Sequence, residues 1–384
     1  MRNRPEHAIV RPSRTIARAR SILAIILICF GGVESHGCSG RPAAVEVEDA
    51  FVIPPGTEFA ALWAARFGEL SGLAFDATTG ELFALSDDRV DSRVFRLRLQ
   101  DSPLRLEPTG VILFRGGPDP IDPEGLALLP DGHMLVASEG IQSAELRLPP
   151  AILEYTRDGT FVRALQVPDK YVPPEQGVAL HGVRANSSFE SLASTADGGR
   201  LFTAAETALL QDGELADFDR GARTRLLEYT RQGERFVPGR EWAYELDAVA
   251  RPDFPVGSFT NGLVELVALG DTELLALERS YAEEVGGGRV LLRIRVYRVS
   301  LVGASEVSDL ESIRGRSDVR PVSKQLLFDL GSTPGLPSSL VRLENFEGMT
   351  LLPATRGDRR RLLLVSDDNF SVRQRTWFVR LAIP

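Results

Sequence analysis

The sequence predicts an all-β protein, a β-propeller of about five four-stranded antiparallel blades with six as the alternative, closed by an N-terminal strand. Three observations predict it. A hairpin-like segment recurs five times along the 384 residues, a second pair of strand-like runs follows most copies, and apolar spacing of the helical kind is weak throughout. Two packed β-sandwich domains would also be all-β, but they leave the repeats unexplained.

The chain opens with Arg2, Arg4, Arg11, Arg14, Arg18 and Arg20, followed by the apolar run SILAIILICFGGV at 21–33. That run has the length of an export signal and is too short for a membrane span, so residues 1–37 are expected to be a signal peptide. Cys38 follows a glycine in ESHGCSG, as in a lipoprotein processing site, and ordinary cleavage between residues 33 and 45 is the alternative. Periplasmic, secreted and lipid-anchored envelope locations all follow from this reading, with Cys38 as the one membrane attachment. Residues 38–56 read as a linker and 57–384 as the propeller domain. Cys29 leaves with the signal, so the mature chain has no internal disulfide and must be held by packing.

The five copies are SGLAFDATTGELFALSDDR at 71–89, PEGLALLPDGHMLVASEG at 123–140, FESLASTADGGRLFTAAETA at 189–208, LVELVALGDTELLALERS at 263–280 and FEGMTLLPATRGDRRRLLLVSDDNF at 346–370. Each has a small or acidic residue ahead of an apolar strand, a turn rich in Asp, Gly or Thr, and a second strand running into acid. Asp131-Gly132 and Asp197-Gly198 are hairpin turns in which glycine accepts the positive φ required. Further strand pairs follow at 93–114, 151–167, 224–237 and 289–330. The fifth copy is followed only by RTWFVRLAI, and its missing partner is expected to be TEFAALWAARF at 57–67. Trp63, Trp242 and Trp377 read as core residues.

With 43% hydrophobic and 25% charged residues the chain can bury a large core. The formal charge is −9, and loss of the arginine-rich opening makes the remainder more acidic. Such a surface repels phosphate backbones, which argues against nucleic acid as a partner. EVGGGRV at 284–290 lacks the Lys and Ser/Thr of a phosphate loop and reads as a hairpin tip, and no G-x-S-x-G elbow is present. Nothing in the sequence speaks to oligomeric state.

In an antiparallel hairpin the start of the first strand and the end of the second lie at the same edge. Glu124 is therefore expected beside Glu139, Glu190 beside Glu206, Glu265 beside Glu278, Glu347 beside Asp367 and Asp368, and Ser71 beside Asp87 and Asp88. Inner strands of a propeller line one channel, so about ten carboxylates gather at a single mouth. Crowded carboxylates raise one another's pKa and are relieved by cations, arginines or backbone N–H groups. A set of oxygens suits Ca²⁺. Zinc is disfavoured, since beyond the signal region only His133 and His181 remain.

Glu124, Glu190, Glu347, Asp367 and Asp368 are the expected metal ligands, and Asp87, Glu139 and Glu206 the catalytic carboxylates. Arg89, Arg184, Arg279 and Asn369 are the expected substrate contacts, the arginines by matching a planar fork to a phosphate. The structural alternative is that each acid caps a backbone N–H or pairs with an arginine to hold blades in register.

FEGMTLLP and LLLVSDDNFSVRQRT, together with GVRANSSFESLASTADGGRLFTAAETALLQDG and LLALERSY…GGGRV, resemble the bacterial phytase-like family, the esterase-like activity of phytase domain. The resemblance spans about residues 60–384. It implies an exported repeat protein with recurrent Glu and Asp, proposed to act on phosphoesters. Ser71 in place of a leading acid, and LVELV in the fourth copy, depart from that pattern. Two functions stay open: a Ca²⁺-dependent hydrolase of a small phosphorylated substrate, and a non-catalytic envelope propeller that binds a ligand or protein partner.

Overall fold

The computed structural model describes residues 44–384 except 64, 144–145, 341 and 355–358. The expected signal peptide and Cys38 lie outside these. Twenty-two strands follow in order: β1 Glu46–Ile53, β2 Leu70–Asp76, β3 Glu81–Ser86, β4 Arg93–Asp101, β5 Leu104–Leu113, β6 Pro123–Leu128, β7 Met134–Ser138, β8 Ile141–Gln142, β9 Arg147–Leu148, β10 Ala151–Tyr155, β11 Phe161–Ala164, β12 Phe189–Ser194, β13 Arg200–Ala205, β14 Arg223–Gln232, β15 Arg235–Glu245, β16 Val256–Ala268, β17 Glu273–Glu284, β18 Val290–Ser300, β19 Ser323–Asp329, β20 Asn345–Leu352, β21 Arg360–Asp367 and β22 Thr376–Ile383. Apart from the small β8–β9 hairpin they form five four-stranded antiparallel sheets. The protein is a five-bladed β-propeller, as the repeats predict. Among the described residues no helix is long and apolar enough to cross a membrane.

Blades 1 to 4 run β2–β5, β6–β7–β10–β11, β12–β15 and β16–β19 from the inside outward; blade 5 is β20–β21–β22–β1. The five inner strands β2, β6, β12, β16 and β20 each pack against the inner strands of both neighbours and enclose the channel. The ring is closed by β1, which pairs antiparallel with β22 from Glu46↔Ala382 to Ile53↔Thr376.

This corrects the expectation that 57–67 supplies that strand. EVEDAFVI lies in the stretch read as linker, yet its alternation, with a register shift between Val47 and Asp49, sends Val47, Ala50 and Val52 into the interface of blades 4 and 5, and Phe51 and Ile53 into that of blades 5 and 1. The described residues of the 57–67 segment form a loop with a short 3₁₀ turn at Ala60–Leu62, and Trp63 beside it is 93% exposed rather than core.

The core is divided among the blade interfaces. Along β3, Leu82 and Ala84 face blade 5 while Phe83 and Leu85 face blade 2, all four buried, so period-2 alternation serves two apolar faces instead of one apolar and one wet. Asp131-Gly132 and Asp197-Gly198 form turns at the opposite end from the acids, with Gly132 at φ +89° and Gly198 at φ +67°. A segment between β18 and β19 lies across β15, the outer strand of blade 3. There Val307 N–H and Val322 N–H bond the Glu241 and Ala243 carbonyls at 2.9 Å, which covers part of that edge.

Candidate functional site

Every inner strand carries a β-bulge at the same height: the register shifts between Leu70 and Gly72, Pro123 and Gly125, Phe189 and Ser191, Leu263 and Glu265, and Phe346 and Gly348. The bulged residues are Ser71, Glu124, Glu190, Val264 and Glu347. A bulge re-aims a side chain out of the regular alternation. Here it places three glutamates around the mouth of the channel.

The second strand ends beside them. Asp87, Glu139 and Glu206 N–H groups donate to the carbonyls of Glu69, Asp122 and Ser188 at 2.9, 3.0 and 2.6 Å. Arg279 pairs with Gly262 and Asp367 with Asn345 at the same level. The five equivalent second-strand positions are thus Asp87, Glu139, Glu206, Arg279 and Asp367. Seven carboxylates and one guanidinium converge, and their charges act on one another around the ring.

The fourth copy departs from the expected pairing. Glu278 faces Leu263 and Glu265 faces Leu277. Glu265 is shifted by one place from the other leading acids, into the position of Gly72, Gly125, Ser191 and Gly348. It lies beneath the mouth, 1% exposed, and accepts from the backbone N–H of Leu266 at 2.9 Å and of Leu192 and Met349 in the flanking blades. Burial pushes its pKa well up. Glu278 turns outward to the Tyr244 hydroxyl at 2.8 Å, the Asp247 N–H and Asn261 Nδ2 at 3.0 Å, and the Lys324 ammonium at 2.5 Å.

Burial and mutual repulsion hold most mouth carboxyls above their ordinary range. Asp87 is pushed up to about 9 by burial and by Asp367, and shares a hydrogen bond with Glu69. Glu139 is pushed up to about 8 by burial, against the Ser188 N–H at 2.5 Å from its Oε1. Glu124, Glu190 and Asp367 are raised well above normal, burial being the largest cause in each.

Arg279 relieves one side only. It pairs with Glu347, approaches Glu206 Oε1 to 3.5 Å with Nη2, and donates to Asn345 Oδ1 at 2.5 Å. Asn345 Nδ2 in turn donates to Glu347 at 3.0 Å and to Asp367 at 3.3 Å. Gly262 makes room for this arrangement, since a Cβ there would stand 2.1 Å from Glu206 Oε1.

Among the described residues the other side has no such buried arginine. Asp122, Glu124 and Glu139 each offer a carboxylate oxygen, the three lying within 4.8 Å of one another, with Asp122 2% and Glu139 3% exposed. Two oxygens on one Ca²⁺ ion are at most about 5 Å apart, so these donors fit that ion in spacing and in chemistry. Arg89 stands at the rim, its Nε 2.5 Å from Asp122 Oδ1 and its Nη2 3.3 Å from Asn186 Oδ1.

Of the expected metal ligands, Glu124, Glu190, Glu347 and Asp367 meet at the mouth. Asp368 does not, because its carboxylate accepts from the N–H of Glu69 at 3.0 Å and of Phe370 at 3.1 Å and from the Thr376 hydroxyl at 3.1 Å. Asp88 likewise closes a local turn, accepting from Val90 and Asp91 N–H and from Arg93 at 2.7 Å. Asp87, Glu139 and Glu206 are in the mouth. Arg184 is bound to the carbonyls of Ala208 at 2.9 Å and Gly213 at 2.6 Å, in the loop after β13. Asn369 is exposed beside the mouth, its N–H on Asp367 Oδ1 at 2.8 Å. Asp122, Glu69 and Asn345 were not singled out from sequence. Each lies two residues before a bulged residue, and that offset was the available clue.

Among curated proteins none matches this chain. Solved structures similar to it include an endo-arabinase from Bacteroides thetaiotaomicron, with 11% identity, 87% of this chain and 97% of that chain covered and a TM-score of 0.41. A streptogramin B lyase has 9% identity, 87% and 98% coverage and a TM-score of 0.35. At such values neither bears on chemistry. The family model described as esterase-like activity of phytase matches residues 65–370, and the chain belongs to that phytase-like family.

Proposed function

We propose that the protein is an exported, Ca²⁺-dependent phosphoric ester hydrolase of the phytase or phosphodiesterase kind, working at the acidic mouth. The observation that carries this reading is the convergence of carboxylates from separate blades at one opening, with three of them spaced for a single hard cation. The family and the basic and apolar opening of the chain support it.

Asp122, Glu124 and Glu139 would hold the ion, with Glu190, Glu347 and Asp367 close by as further oxygen donors. A bound calcium supplies Lewis-acid polarisation of a phosphoryl oxygen and a more acidic water. Asp87, protonated at neutral pH, is equipped to hand its proton to a leaving-group oxygen. Arg89 at the rim matches the charge on the phosphoryl oxygens. Arg279 is engaged with Glu347, Glu206 and Asn345, which supports a role in holding the ring over one on the substrate.

That same engagement favours the second reading, a non-catalytic propeller binding a ligand or partner at the envelope, in which the acids are anchors. A chelator titration separates the two, read by thermal melting and by hydrolysis of generic phosphate mono- and diesters. The hydrolase loses melting temperature and turnover together as calcium is withdrawn. Unchanged melting and no turnover would leave the binder.

A further inference from the structure

Asp122 belongs to two arrangements that compete. Its carboxylate holds Arg89 Nε at 2.5 Å, and it also completes the group with Glu124 and Glu139. A divalent cation drawing on that carboxylate weakens its hold on a guanidinium and repels the guanidinium directly. The two partners differ in freedom: the Arg89 side chain is 52% exposed and that of Asp122 3%, so the arginine is the one able to leave. Its other contact, Asn186 at 3.3 Å, is an exposed rim residue.

A buried polar group without a hydrogen-bond partner lies beside the same carboxylates and points to a missing ligand. It is the Ser188 hydroxyl, fully buried, on the residue whose N–H binds Glu139 Oε1. Native structures rarely bury such groups unpaired.

We propose that Asp122 is a gate: it restrains Arg89 until a divalent cation takes its carboxylate, and the released Arg89 then binds the phosphate group of the substrate beside that cation. Binding at the mouth is therefore ordered, cation first and phosphate second, and each tightens the other by the same factor. This rests on the reading of the mouth as a cation-dependent phosphoester site and adds how that site is regulated.

Calorimetric titration of inorganic phosphate into the full chain, in chelator and in calcium, tests the gate without reference to turnover. The native protein is expected to bind phosphate only with calcium present. Arg89→Gln removes the cation's competitor, so calcium binds roughly fivefold tighter while phosphate binding is lost. Asp122→Asn weakens calcium and frees Arg89, so phosphate binds even in chelator. Arg89 lies at the surface, so its variant tests the idea even if Asp122→Asn does not fold. Phosphate affinity equal with and without calcium, or calcium affinity unchanged in Arg89→Gln, overturns the gate and leaves the hydrolase reading standing. No calcium binding to the native protein overturns both.

Discussion

Arg279 Nη2 lies 3.5 Å from Glu206 Oε1, a cation and an anion on equivalent positions of neighbouring blades. The fourth blade thus contributes a fixed positive charge where the other four contribute acids. A ring of five acids at this height would have no internal compensation. With Arg279 in place, Glu190, Glu206 and Glu347 are partly neutralised by the protein itself. Among the described residues the blade 2 carboxylates have only the half-exposed Arg89 beside them.

Arg279→Met is therefore expected to leave buried carboxylates uncompensated and to cost about 3–5 kcal/mol in urea unfolding under chelator. Added calcium should recover part of the loss. An unfolding midpoint unaffected by the substitution would show that the pair contributes nothing to the ring.

Gly125 sits where inner strands of blades 2 and 3 nearly touch. A Cβ there would stand 2.7 Å from Leu192 N and from the Ser191 carbonyl carbon, both backbone atoms that cannot turn aside. Gly125→Ala should cost about 1–3 kcal/mol, as overpacking does. A variant with the native melting temperature would contradict the tight inner ring.

Glu265 accepts backbone N–H groups from three inner strands beneath the mouth. Glu265→Gln keeps an acceptor and should change stability little, whereas Glu265→Ala strands those donors and should cost about 1–3 kcal/mol. Calcium affinity should be the same in Glu265→Gln as in the native protein. Its loss would place Glu265 in the cation site instead.

The hairpin end rule made the convergence of Glu124, Glu139, Glu190, Glu206 and Glu347 legible in sequence, because strand direction alone fixes which ends meet. Side-chain direction was not legible. In the fourth copy the acid lies one residue later, so the bulge shared by all five strands presents Val264, not Glu265, at the leading position, and aligning acid with acid hid this. Asp368 turns away because Asn369 and Phe370 after it adopt left-handed backbone, at φ +47° and +44°, and wrap their turn around its carboxylate. The closing strand was missed because EVEDAFVI opens with three acids in its first four residues. Its apolar residues gain a sheet partner only once the C-terminal strands are in place.

The acids also set a pH dependence. Glu139 and Asp87 ionise near 4.5 and 3.8 in the unfolded chain but at about 8 and about 9 when folded. Within that window the native state binds more protons than the unfolded one, so stability is greatest at the acidic end and falls as pH rises toward 9. Cation-free protein should melt at progressively lower temperature between about pH 5 and pH 9, and saturating calcium, which takes the place of those protons, should flatten the slope. A melting temperature in chelator that rises over this range would contradict the shared burial of these carboxyls.

Calorimetric titration of Ca²⁺ into chelator-stripped protein, repeated in two buffers of different ionisation enthalpy, tests the central claim most directly. A cation displacing protons from the mouth predicts saturable binding, an apparent enthalpy that depends on the buffer, and tighter binding at higher pH. No saturable heat, or binding unaltered when Glu124 and Glu139 are both replaced by Gln, would contradict it.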